Sequence, residues 1–96
     1  MLTCESPEGL LIHFEGHLDT ARCAEIADEL HAAVTAPTGP VVFDLQQVSF
    51  ISSAFIRLCI YAYQQAGSHG FQVVHACPMI KRVFKIAGLD AMFQCA

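Results

Sequence analysis

Three short apolar runs alternate with three stretches in which apolar residues recur every three or four positions, and this alternation leaves few folds open to the chain. Leu10 to Glu15 is rich in strand formers and is closed by Gly16. With Asp19 or Thr20 as N-cap, the residues Cys23, Ile26, Ala27, Leu30, Ala33 and Val34 then recur at helical spacing opposite Arg22, Glu25, Asp28 and Glu29. They predict an amphipathic helix of about four turns that stops before Pro37-Thr38-Gly39-Pro40, where the prolines remove donors and force extended geometry. Val41 to Leu45 is a continuous apolar run of the kind found in strands covered on both faces. A second helical pattern runs from Ser53 to Ala66 and is broken by Gly67 and Gly70. Phe71 to Ala76 is the third strand, and Pro78 suits the first turn of a third helix. In that helix Ile80, Val83, Phe84 and Ala87 form one stripe, Lys81, Arg82 and Lys85 the other, and Gly88 stands where a left-handed cap belongs. The tail, Met92 to Cys95, is expected to add an edge strand. Strands and helices in this order produce parallel βαβ units, so the chain is read as a small α/β fold.

Ninety-six residues are the size of one small domain, and the whole of 1–96 is expected to form one. Hydrophobic residues at 54% and charged residues at 15% argue against disorder, while no uninterrupted apolar run of about 18 residues predicts membrane insertion. A net charge of -4 with only five Lys and Arg gives no footprint for nucleic acid or anionic lipid. The first residues lack the features of a signal peptide, which places the chain in the cytoplasm by default. Cys4, Cys23, Cys59, Cys77 and Cys95 are odd in number and widely spaced, so they read as small core hydrophobes rather than as metal or redox centres. The five histidines are equally scattered, and His13 and His17 straddle Gly16 at a strand end. No metal site, Walker loop, nucleophile elbow or spaced carboxylate pair is present, so neither an enzyme nor a cofactor is expected.

The chemistry concentrates at Ser52-Ser53, where the run Val48-Ser49-Phe50-Ile51 ends and the second helix begins. A serine there can cap the helix or carry a phosphate. At 100° per residue Phe55, Cys59, Ala62 and Ala66 share one face, flanked by Ile56 and Tyr63, and are expected to build the core. Ser53, Arg57 and Gln64 fall opposite, joined by Ile60 and Tyr61, so the Ser53 hydroxyl is expected to face solvent beside a mixed polar and apolar surface. A phosphate on Ser53 would sit at the positive end of the helix dipole, one turn from Arg57. The helix would carry it at little cost, and an approaching partner would meet the new charge.

These residues resemble a family over nearly the whole chain. Gly16-His17-Leu18-Asp19 with the helix from Ala24 to Leu30 is similar to the opening of STAS domains of the bacterial anti-sigma factor antagonist type. Val41 to Ile51 resembles the family's central strand and approach loop, Ser52-Ser53-Ala54 its signature turn, and Ile86-Ala87-Gly88-Leu89-Asp90 its last-helix ending. The resemblance implies a mixed, mostly parallel sheet of four to five strands with about three to four helices. It further implies a non-enzymatic role in partner switching: the unmodified domain binds an anti-sigma factor that is also a serine kinase, phosphorylation of Ser53 ends the binding, and a serine phosphatase restores it. The docking surface it implies comprises Asp19, Ile51, Ser52, Ser53, Phe55, Arg57 and Ile60, on a monomer or weak dimer. The alternative role is that of a STAS accessory subunit holding the ATPase component of an ABC-type transport assembly through the same face.

Two positions depart from the family pattern. Many members carry Asp where this chain has Ser52, and Gly where it has Phe55. A phenyl ring in the first helical turn requires either a rearranged core or exposure beside Ser53 as part of the partner surface.

Overall fold

The computed structural model describes residues 2–6, 9–35 and 37–93. Four strands, β1 (Leu2–Ser6), β2 (Gly9–Leu18), β3 (Val41–Ile51) and β4 (Phe71–Val74), form one sheet in the order β1-β2-β3-β4. β1 runs antiparallel to β2, and β2, β3 and β4 run parallel. Helices α1 (Thr20–Val34) and α2 (Ser53–Ala66) form the two crossovers, a 3-10 turn at Gly67–His69 leads into β4, and α3 (Pro78–Ile86) follows it. The α/β class and its three main helices are those the apolar periodicity predicts. β1 was not anticipated, because the apolar-polar alternation of Leu2, Thr3, Cys4 and Glu5 spans only four residues, and the strand forms by pairing with β2.

Each helix boundary has a local cause. The Asp19 carboxylate accepts the backbone N–H of Arg22 at 2.8 Å and starts α1. Pro78 opens α3 with a φ already suited to a helix and no orphan donor. The end of α3 is a left-handed cap: Gly88 has φ +75°, its N–H donates to Lys85 O at 3.0 Å, and the Leu89 N–H donates to Phe84 O at 2.8 Å.

One face of the sheet makes the core. Leu10, Ile12 and Phe14 of β2, Val41 and Phe43 of β3, and Phe71 and Val73 of β4 are buried against Leu30 and Val34 of α1, Phe55, Cys59 and Ala62 of α2, and Ile80 and Phe84 of α3. Leu58, which helical phase did not assign to the core, is buried as well. On the other face Leu11, His13, Val42, Gln72 and Val74 remain half-buried. The apolar run Val41–Leu45 therefore does not mark a strand covered on both sides. Asp44, on that other face, is nonetheless buried at 9% exposure and meets His13 Nδ1 at 3.0 Å.

Phe93 is fully buried and stacks edge-on against Phe71 and Phe84, with ring centroids 5.2 and 5.6 Å away. Its carbonyl accepts the Val73 N–H at 3.0 Å, yet Met92 and Phe93 form a turn. The edge strand expected over Met92–Cys95 is thus a turn in its first half, because the Phe93 side chain is drawn into the core. Gln94 and Cys95 lie outside the described residues. Cys23 and Cys59 are buried and Cys77 half-buried, all as thiols, while the Cys4 side chain and Cys95 are likewise outside the description. Among the described residues no three His, Cys, Asp or Glu side chains are grouped to hold a metal, and no helix is long and apolar enough to cross a membrane.

Candidate functional site

Parallel strands bring the carboxyl ends of β2 and β3 together, and each end feeds a helix: Leu18 passes through Asp19 into α1, and Ile51 through Ser52 into α2. The two strands reach this point out of step. Between His13 and Leu18 the paired stretch of β3 runs from Asp44 to Ile51, so β3 holds two extra residues, placed at shifts between His13 and Glu15 and between Gly16 and His17. Each shift is a bulge that turns the following side chains. Asp44 Oδ1 accepts the Gln46 N–H at 2.9 Å at the first, and Ser49 Oγ donates to Gly16 O at 3.5 Å at the second. Burial along β3 consequently changes from every second residue to every third, with Leu45, Val48 and Ile51 buried and Gln46, Gln47, Ser49 and Phe50 exposed. The three-residue spacing of those apolar positions was the sequence signal for the bulges.

The Leu18 carbonyl joins the two helix starts. It accepts the Ser52 N–H at 3.1 Å, the Ser52 hydroxyl at 2.8 Å and the Cys23 thiol at 3.6 Å. Burial pushes the Cys23 thiol above its ordinary pKa and the Asp19 carboxylate acts in the same direction, against a contact with Ser52 Oγ at 4.0 Å. Cys23 therefore stays a protonated donor at neutral pH. The Ser52 side chain is turned toward Leu18, so its oxygen accepts no N–H of the first turn and α2 begins without a side-chain cap even though Ser52 holds the N-cap position. An ionised aspartate at position 52 would have no proton to give Leu18 O, which makes serine the residue suited to this junction. Ser52→Ala should lower stability by about 1 kcal/mol, or a melting temperature by roughly 4–8 °C, since the backbone bond to Leu18 remains. A thermal melt followed by circular dichroism measures it, and an unchanged midpoint would show that the hydroxyl bond carries no net stability.

Ser53 is exposed in the first turn of α2, with Arg57 exposed one turn along and Ile60 half-buried beyond it. Asp19 is exposed at the start of α1. The structure corrects two members of the expected surface. Phe55 is fully buried, its ring edge-on to Phe14 at 5.1 Å and 6.2 Å from Phe43. Ile51 is buried at 7% exposure, the second bulge having turned it toward the helices. Neither side chain is available to a partner in this conformation. The exposed apolar residue at this end is Phe50, which stacks on His17 with centroids 5.9 Å apart, while His17 Nδ1 lies 3.3 Å from Ser49 Oγ. Sequence reading passed over it because the phase of β3 was unknown.

A family model described as "Mlab, STAS domain" matches residues 1–94. The chain belongs to the STAS domain family. It is similar, at 30% identity over 99% of its own length and 84% of the relative's, to a Bordetella bronchiseptica protein named "Putative anti-sigma factor antagonist BtrV". Among solved structures it resembles an anti-sigma factor antagonist (STAS) domain protein from Planctomyces limnophilus, with a TM-score of 0.86 and 20% identity, covering 99% of this chain and 86% of that one. It also resembles the anti-sigma factor antagonist SpoIIAA at 19% identity. The TM-score is 0.78 for the unphosphorylated form and 0.70 for the phosphorylated form of the Bacillus protein, each over 95% of this chain and 82% and 85% of theirs. These structural likenesses establish an anti-sigma-factor-antagonist-like STAS fold.

Proposed function

We propose that this STAS domain is an anti-sigma factor antagonist that works by partner switching. Unmodified, it binds an anti-sigma factor that is also a serine kinase. Phosphorylation of Ser53 ends the binding and a serine phosphatase restores it. Residues 1–96 act as one cytoplasmic domain that binds partners rather than turning over a substrate. Asp19, Ser52, Ser53, Arg57 and Ile60 provide the docking surface.

The observation that carries this reading is the unequal state of the two serines. The Ser52 hydroxyl is turned inward on Leu18 O at 2.8 Å, whereas Ser53 is exposed at the head of a helix that lacks a side-chain cap. A kinase can reach the second hydroxyl without breaking a bond to the fold. The name of the Bordetella relative and the existence of SpoIIAA in a phosphorylated form support the same role.

Incubation with ATP and an anti-sigma factor of the serine-kinase type, followed by mass spectrometry, tests it. One phosphate is expected on Ser53, retained in Ser52→Ala and absent from Ser53→Ala. A kinase that binds the domain tightly yet leaves Ser53 unmodified would overturn the switch.

A further inference from the structure

The chain separates its charges. Three of its five basic residues, Lys81, Arg82 and Lys85, lie on the nine-residue helix α3, which contains no acid. All three are exposed, and none has an acidic partner within ion-pair distance among the described residues. Two large apolar side chains share their helix face: Ile86 is 79% exposed and Met79 56%. By helical phase Met79, Arg82 and Ile86 make one stripe, with Lys81 and Lys85 beside it.

The outer face of α1 is the counterpart in both charge and size. Glu25, Asp28 and Glu29 are exposed and have no cationic partner within ion-pair distance among the described residues. By helical phase the exposed Ala21 and Ala32 flank Asp28 at the centre of that face, with Ala24 to one side and Glu25 and Glu29 to the other. Alanines leave room for another helix to approach, so the large apolar residues of α3 would rest on them while the cations reach the carboxylates.

We propose that α3 of one molecule docks on α1 of a second copy of this chain. The contact joins two different surfaces, so it is heterologous, and a single helix pair buries too little area for a permanent complex. The association is weak, reversible and salt-sensitive. It does not depend on the partner-switching role, since Ser53 takes no part in it.

Sedimentation velocity of the purified chain, from about 10 μM to about 1 mM, tests the proposal at low salt, where surface charges act over about 30 Å, and near 1 M, where the range is about 3 Å. The sedimentation coefficient should rise with concentration at low salt and stay monomeric at high salt. The triple reversal Lys81→Glu, Arg82→Glu, Lys85→Glu should remain monomeric throughout, and so should Glu25→Lys, Asp28→Lys, Glu29→Lys. Mixing the two variants should restore association, because each then offers the other both an α3 and an α1 of opposite sign. Adding Met79→Ser and Ile86→Ser to that mixture should weaken association at least about tenfold, which separates helix docking from attraction between oppositely charged molecules. All substitutions are at exposed positions, and circular dichroism verifies the fold. A monomer at every concentration in low salt, reversals that leave association unchanged, or a mixture indifferent to the loss of Met79 and Ile86 would overturn the proposal.

Discussion

Replacing Phe55 by glycine, the residue many STAS domains carry there, should bring this domain close to unfolding. The ring is fully buried between Phe14 and Phe43, and these two rings are themselves packed at 4.8 Å. Its removal loses the transfer free energy of a phenyl group and leaves a cavity that two neighbouring aromatics on a rigid sheet can only partly fill, costing about 3–5 kcal/mol. Glycine in place of a residue with a side chain adds about 1 kcal/mol of helix propensity in the first turn of α2. Against a total stability on the order of 5–15 kcal/mol, the midpoint of thermal unfolding should fall by roughly 20 °C or more. Circular dichroism melts of Phe55→Gly and Phe55→Ala would measure the two contributions. A loss below about 1 kcal/mol for the alanine variant would mean that Phe14 and Phe43 collapse into the space, and that the family's glycine and this chain's phenylalanine are interchangeable in the same core.

The second large effect should appear in binding with stability intact. Ser53→Asp places a negative charge at the first position of α2, where the helix dipole and the uncapped N–H groups favour it by about 0.3–1 kcal/mol. Its melting temperature should therefore equal or slightly exceed that of the parent. Affinity for an anti-sigma factor of the serine-kinase type should fall at least about tenfold, since the partner must then desolvate or repel a charge where it met a neutral hydroxyl. Isothermal titration calorimetry of the parent, Ser53→Asp and Ser53→Ala would resolve this, with the alanine variant expected to bind within about threefold of the parent. Equal affinity in all three would remove Ser53 from the docking surface. A drop shared by the alanine variant would point to the hydroxyl rather than to charge.

These expectations differ in how they arise. The outward position of Ser53 follows from local phase: once α2 starts at residue 53, its hydroxyl and Arg57 share the face opposite Cys59 and Ala62, and the structure leaves both exposed. The fate of Phe55 did not follow from phase alone. Phase directed it inward, but whether a core could hold a ring at a position that glycine often occupies depended on Phe14 and Phe43, drawn from two other strands. Ile51, expected on the docking surface, is buried, and Phe50, to which no role was given, is exposed for a similar reason. The bulges that turn them exist only in the pairing of β3 with β2, a register that no window of either strand contains.

Ser52 shows the same division in one residue. Its place at a helix start was legible, and its side chain was free to choose between capping α2 and reaching elsewhere. The choice was made by the Leu18 carbonyl, which lies 34 positions earlier in the chain and arrives only when β2 and β3 align.

The sequence alone thus determined the α/β alternation, the limits of α1 and α2, the glycine cap of α3 and the pairing of Ser53 with Arg57 on an outer face. These are matters of local conformational preference and of helical or strand period, which a few consecutive residues settle. Tertiary structure alone decided the added strand β1, the bulges of β3, the room that Phe14 and Phe43 leave for the Phe55 ring, the burial of Ile51, the exposure of Phe50 and the inward bond of Ser52. Each depends on which distant groups the sheet brings within bonding or packing distance, and that geometry exists only after the strands have paired.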